Sequence, residues 1–189
     1  GVGGQGNVMA SRVLAGMLVD AGYVVTIGET FGMSQRGGSV MSHLRISPDE
    51  VKSPQIPAWG ADVIVALEPL EALRVLAVYG KPSVSVLSNT RPVYPIGVIT
   101  GELDYPAPEI IKEKFRMLAA SSWMIDATDI GMRLGNPVLS NIVMIGALGA
   151  TGLVPFDRRM FEKEIKKTLS PDKRLINMKA FDEGAAVIR

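Results

Sequence analysis

The run Ala61-Asp62-Val63-Ile64-Val65-Ala66-Leu67-Glu68-Pro69-Leu70-Glu71-Ala72-Leu73-Arg74 holds a strand and the start of a helix back to back. Ala61–Leu67 is short, mostly apolar and rich in β-branched residues, as a strand buried on both faces requires. Pro69 then suits a first helical turn, where its missing N–H had no partner to lose. The helix it opens ends near Gly80, and Ser83–Leu87 reads as the next strand. Pro108–Ala120 is amphipathic, with Ile110, Ile111, Phe115 and Leu118 set against Lys112, Glu113, Lys114 and Arg116. Trp123–Ile125 is a further strand, and helices follow near Leu139–Thr151, Arg158–Leu169 and Lys173–Val187.

The same reading extends upstream. A helix over about Asn7–Ala21 is stopped by Gly22, and Tyr23–Ile27 is a β-branched strand. Ser39–Ser47 alternates, with Val40, Leu44 and Ile46 on one face and Met41, His43 and Arg45 on the other. No helix separates these two strands, so the expected sheet is mixed, though mostly parallel. The alternation of strands and helices predicts a three-layer α/β/α sandwich of Rossmann-like type. It reads as one domain over residues 1–189, without repeat, linker or low-complexity segment. A glycine loop such as Gly1–Gly6 normally follows a buried strand. The expectation is therefore a first strand formed by residues ahead of Gly1.

Composition excludes several function classes. Basic and acidic residues number 20 and 19, for a net charge of +1, which is not the footprint of a nucleic-acid binder. No run of about 18 apolar residues exists to span a membrane, and the opening residues do not read as a signal peptide, so a cytoplasmic location is expected. There is no cysteine and a single histidine, His43. That removes thiolate nucleophiles, cysteine-ligated metal clusters and multi-histidine metal sites from this chain.

In open α/β sheets ligands gather outside the carboxyl ends of the strands. Gly1–Gly6, Glu29–Gly38, Glu68-Pro69, Asn89–Pro92 and Asp126–Asn141 all follow predicted strands, so they are expected to share one rim. Gly1, Gly3 and Gly6 fit G-x-G-x-x-G, and Glu29 is read as ending the strand where a ribose-binding acid belongs in a dinucleotide fold. The motif allows two readings: phosphate contact through backbone N–H groups, or glycines that merely permit tight strand-to-helix packing. The loop Glu29–Gly38 is longer than a connector needs. Its Arg36 either forks onto a phosphate or carboxylate or is a solvated surface arginine. His43, mid-strand among apolar neighbours, reads as a packed histidine. Asn141–Ala150 carries no charge, which predicts a buried helix, in the core by preference over a partner surface.

Three runs, GVGGQG, ETFGMSQRGGSV and ADVIVALEPLEALR, together with Asn141 and its apolar helix and the closing INMKAFDEG, resemble the gamma-type subunit of 2-oxoacid:ferredoxin oxidoreductases. The loop and the LEPLEALR helix look most like the beta subunit of the indolepyruvate enzyme. The resemblance implies a non-redox subunit of an enzyme that converts a 2-oxoacid, coenzyme A and oxidised ferredoxin to acyl-CoA, CO2 and reduced ferredoxin. Thiamine diphosphate, Mg and iron–sulfur clusters would be held by partner subunits, with ferredoxin met only indirectly. The isolated chain would be inactive and bind no cofactor alone, though contact to coenzyme A is possible in the assembly. The residues carried over are Gly3, Gly4, Gln5 and Gly6 in the first loop and Ser34, Gln35, Arg36, Gly37 and Gly38 in the second. No catalytic or metal-binding residue is expected. An independent NAD- or FAD-binding oxidoreductase and a pure assembly scaffold are the alternatives.

Overall fold

A computed structural model describes residues 1–31 and 38–188. Helix α1 (Asn7–Asp20) follows the glycine loop and leads into β1 (Val24–Phe31), which pairs antiparallel with β2 (Val40–Ser47). The register runs from Val24 opposite Ser47 to Phe31 opposite Val40. β1 is therefore longer than the sequence suggests, because its polar end, Gly28-Glu29-Thr30, is held by the ladder to β2 rather than by apolar burial.

The second half follows the βα rhythm. β3 (Ala61–Ala66), α2 (Pro69–Tyr79) and β4 (Gly80–Asn89) form a parallel unit. Glu68 caps α2, its carboxylate accepting from the Glu71 N–H at 2.7 Å, with Pro69 in the first turn. After the short α3 (Ile96–Ile99), α4 (Pro108–Leu118) leads into β5 (Ser121–Ile125), which extends the parallel ladder beyond β4. α5 (Ala127–Arg133), a 3-10 turn at Pro137–Leu139, α6 (Ser140–Thr151), α7 (Arg158–Thr168) and α8 (Pro171–Ile188) complete the chain. α3 and α5 are too short to show a period in sequence.

The layers are those of an α/β/α sandwich. On one side α2 and α4 pack on β3 and β4, with Ala72, Leu76, Ile111 and Phe115 buried among Ile64, Val84 and Val86. On the other, α1 and α6 face the strands, backed by α7 and α8. The strands divide into a parallel sheet, β3-β4-β5, and an antiparallel pair, β1-β2, rather than one continuous mixed sheet. Among the described residues, no backbone hydrogen bond joins β2 to β3.

α6 is buried along nearly its whole length, as its charge-free sequence predicts. It packs against α8 through close backbone approach. A Cβ at Gly146 would lie 2.0 Å from the Phe181 carbonyl oxygen, and one at Gly184 would lie 1.9 Å from that of Val143. His43 is packed as expected, 4% exposed, edge-on to Tyr79 at 5.0 Å, with Nδ1 accepting from the Ile56 N–H. Among the described residues no helix is long and apolar enough to cross a membrane.

Candidate functional site

The glycine loop is fixed from both sides. Gly3 N donates to Gly38 O at 2.9 Å, and Val2 forms an antiparallel bridge with Ser39. Gln5 closes the turn, its Oε1 accepting from Val2 N at 2.9 Å while Nε2 donates to Leu67 O at 2.9 Å. Gly4 and Gly6 adopt φ of 95° and 85°, which a side chain would strain. Gly6 is required twice over, because a Cβ there would lie 2.3 Å from Asn141 Nδ2. That amide in turn donates to Gly6 O at 3.4 Å, tying the start of α6 to the loop. Among the described residues no side chain caps α1, so the N–H groups of its first turn have no side-chain acceptor there, and the helix dipole favours an anion at this end.

A polar network joins the ends of the parallel strands. Leu67 O accepts from both Gln5 and the fully buried Asn89, whose Nδ2 donates at 3.1 Å. Asn89 Nδ2 also donates to Thr128 Oγ1 at 2.8 Å, and its Oδ1 accepts from Thr128 N at 3.2 Å. Thr90 Oγ1 donates to Asp126 Oδ1. Glu68, buried at 2% exposure, accepts from the Tyr105 hydroxyl and from Val93 N, which anchors the segment after β4 over α2. Burial, reinforced by the Glu68 carboxylate, pushes the Tyr105 hydroxyl well above the usual phenol range, so it stays a proton donor. Glu71 accepts from Ser39 Oγ and from Arg74, linking the start of β2 to α2.

The expected common rim is thus assembled from Gly1–Gly6, Gly38-Ser39, Glu68, Asn89-Thr90 and Asp126–Thr128. Of the candidate residues, Gly3, Gly4, Gln5, Gly6 and Gly38 come together there. Ser34, Gln35, Arg36 and Gly37 lie outside the described residues. Glu29 does not end its strand: it sits inside β1 opposite Ser42, and its carboxylate is 3.9 Å from Arg12 Nε. The acid that a dinucleotide site would need at a strand tip is therefore placed elsewhere. Sequence reading placed Asn89 and Thr128 in rim segments without giving either a role, and it missed Tyr105. The signal for Asn89 was a lone amide at the carboxyl end of the strand Val84-Ser85-Val86-Leu87-Ser88-Asn89.

Chemically, the rim offers backbone N–H groups, amides and hydroxyls, a set suited to holding a ligand in place. Iron–sulfur clusters do not fit it, since the chain has no thiolate to offer. Among the described residues no three of His, Cys, Asp and Glu gather as a metal site would require.

Comparison with known proteins places these features in context. A family model described as pyruvate ferredoxin/flavodoxin oxidoreductase matches residues 1–187. An indolepyruvate oxidoreductase subunit IorB of Thermococcus kodakarensis is 38% identical, over 97% of this chain and 91% of that one. From the same organism, the pyruvate/ketoisovalerate oxidoreductases common subunit gamma is 28% identical, over 97% of this chain and 91% of its own. The crystal structure of a pyruvate oxidoreductase subunit PORC from Thermotoga maritima superposes with a TM-score of 0.68 at 25% identity, over 98% of this chain and 92% of that one.

Proposed function

The chain belongs to the pyruvate ferredoxin/flavodoxin oxidoreductase family, and from that premise we propose that it is the non-redox subunit of an indolepyruvate- or arylpyruvate-type 2-oxoacid:ferredoxin oxidoreductase. The observation that carries this reading is the contrast within one organism. Over the same share of the chain, identity is 38% to the indolepyruvate subunit and 28% to the pyruvate/ketoisovalerate gamma subunit. Thiamine diphosphate, Mg and iron–sulfur clusters belong on partner subunits in this reading, which agrees with the absence of cysteine here.

The role of the rim is to hold coenzyme A against the partner. The diphosphate of coenzyme A is an anion that the open first turn of α1 and the glycine backbone suit. Arg36, in the Ser34–Gly38 motif, supplies a planar fork for a phosphate that lysine cannot reproduce. The network from Gln5 through Leu67 and Asn89 keeps the loop in one position. That supports binding with little reorganisation.

Co-expression with the thiamine-bearing subunit tests the assignment. The assembled enzyme should oxidise arylpyruvates in preference to pyruvate, with coenzyme A and ferredoxin both required, and this chain alone should turn over neither. Preference for pyruvate would overturn the substrate class, and undiminished turnover without this chain would overturn the subunit role. Arg36→Lys should raise the coenzyme A requirement by about tenfold or more, since a hydrogen bond to a charged group contributes roughly 1.5–3 kcal/mol. Unchanged assembly and unchanged coenzyme A kinetics in that variant would reduce the loop to a scaffold.

A further inference from the structure

The parallel sheet stops at β5, which pairs with β4 along one side only. Ala120 N donates to Val84 O, so by the alternation of a strand Ser122 and Met124 also turn their backbone groups toward β4. Ser121 and Trp123 turn theirs outward, where no backbone partner meets them among the described residues. Such an edge is a template for another strand, and folded chains blunt it with proline, a bulge or charge on the strand itself. Ser121-Ser122-Trp123-Met124-Ile125 has no proline and no charge, and its register with β4 is unbroken.

This edge is also the floor of a cleft of about 260 Å³. One wall is α4, which contributes Lys112 and Arg116, and the other is the end of α8, with Val187 and Ile188. The walls lie on opposite faces of the sheet. Met124 packs with the layer of α2 and α4, whereas Trp123 and Ile125 pack with the core that holds α6 and α8. One side of the cleft is thus cationic and the other apolar.

Lys112 and Arg116 stand one helical turn apart, both exposed, and like charges at that spacing repel. Among the described residues neither has a carboxylate partner, whereas Lys163, Lys166 and Lys167 on α7 all do. The acidic residues of α4, Glu109 and Glu113, do not line the cleft. The cationic wall therefore suits negative charge brought from another chain. A second copy joined edge to edge would set the same two cations against it, an arrangement that like charge opposes.

We propose that the β5 edge docks an extended segment of a partner protein in which acidic and apolar residues alternate. Added as a strand beyond β5, the segment pairs its main chain with Ser121 and Trp123. Its side chains point alternately to the two faces of the sheet. The acidic set meets Lys112 and Arg116, and the apolar set packs against Trp123, Val187 and Ile188. Main-chain pairing supplies affinity, and the two unlike walls select the alternation.

The probe is a fluorescein-labelled octapeptide of alternating glutamate and valine, titrated by anisotropy against the full chain at low salt. Saturable binding is expected, with hydrogen exchange slowed at the Ser121 and Trp123 amides. A peptide of the same composition with its glutamates and valines in two blocks should bind about tenfold more weakly or worse, as should one of alternating lysine and valine. Lys112→Glu combined with Arg116→Glu changes only exposed positions, and circular dichroism should show the native fold. That variant should weaken the glutamate–valine peptide by about tenfold or more and strengthen the lysine–valine one. No saturation up to about 1 mM, equal binding of the block peptide, or affinities untouched by the charge reversal would overturn the proposal. So would slowed exchange at Trp123 that depends on protein concentration without peptide, which would give the edge to a second copy of the chain.

Discussion

Replacing Gly146 by alanine puts the buried helix pair under direct test. The new Cβ would sit 2.0 Å from the Phe181 carbonyl oxygen and 2.8 Å from its carbonyl carbon. Favourable contact between heavy atoms lies near 3.5–4.0 Å, so α6 and α8 would have to separate by more than about 1 Å. Neither can move freely: α6 is buried from Ser140 to Leu148, and on α8 Ala180 and Phe181 lie in the same core. The obstacle is backbone, which cannot rotate away as a side chain can. Overpacking of this kind costs about 1–3 kcal/mol or more. Alanine in a helix interior returns about 1 kcal/mol relative to glycine. Taking the upper end of the cost, the net loss is about 2 kcal/mol, or about 4–8 °C in Tm for a domain of this size.

Two variants sharpen the reading by thermal unfolding followed with circular dichroism. Gly149→Ala brings a Cβ to 3.0 Å from the Phe156 ring, a side chain that can give way, so its Tm should stay close to wild type. Gly184→Ala meets the Val143 carbonyl oxygen at 1.9 Å across the same crossing. Once one variant has pushed the helices apart, the second should cost less, so the double variant should fall short of additivity. A Gly146→Ala protein as stable as wild type, or more so, would mean that helix propensity dominates and that the two helices do not cross at these glycines.

Asn89→Leu would strip one donor from Leu67 O and leave the half-buried Thr128 N–H unpaired. A loss of about 1–3 kcal/mol in unfolding free energy is expected by denaturant titration, whereas a variant as stable as wild type would show that the strand-end network contributes nothing. His43 is held neutral, because burial pushes its pKa below the ordinary 6.5. The unfolded chain then binds more protons than the native one in mildly acid solution, so stability is full above pH 6.5 and falls as pH drops toward the native pKa. His43→Gln should flatten that part of the curve; an unchanged slope below pH 6.5 would assign it to other groups.

The parts of the fold legible in sequence were those set by burial. Ala61–Leu67, Pro69 and the charge-free run after Asn141 have compositions that admit few other structures, and each lies where periodicity and turn chemistry place it. Legibility failed where hydrogen bonding between distant segments takes over from burial. β1 runs through Gly28-Glu29-Thr30 only because Ser42, His43 and Met41 stand opposite, and no local pattern announces a partner on another strand. That extension moves Glu29 from a strand tip into the ladder, which is why the dinucleotide reading loses its acid. The rim shows the same division. Its glycines were readable because positive φ and close approach leave few alternatives, while Asn89 and Tyr105 act through Leu67 and Glu68, which fall beside them only after folding.

The polar residues of the rim are arranged to hold backbone rather than to react. Gln5, Asn89 and Asn141 spend amide N–H donors on carbonyl oxygens of Leu67 and Gly6, and Glu68 accepts from Tyr105, Val93 and Glu71. Tyr105, its hydroxyl pushed up by burial, keeps its proton, and the amides are poor acids and bases. What such a network leaves available is the main chain it positions: the glycine loop and the uncapped first turn of α1. A surface of fixed N–H dipoles discriminates by shape and charge without altering bonds. This is the division of labour expected of the non-redox subunit proposed above. It also explains why a chain with no cysteine and one buried histidine can keep so exacting a loop: Gly6 admits no side chain because Asn141 occupies the space, and the loop's position is the property being held.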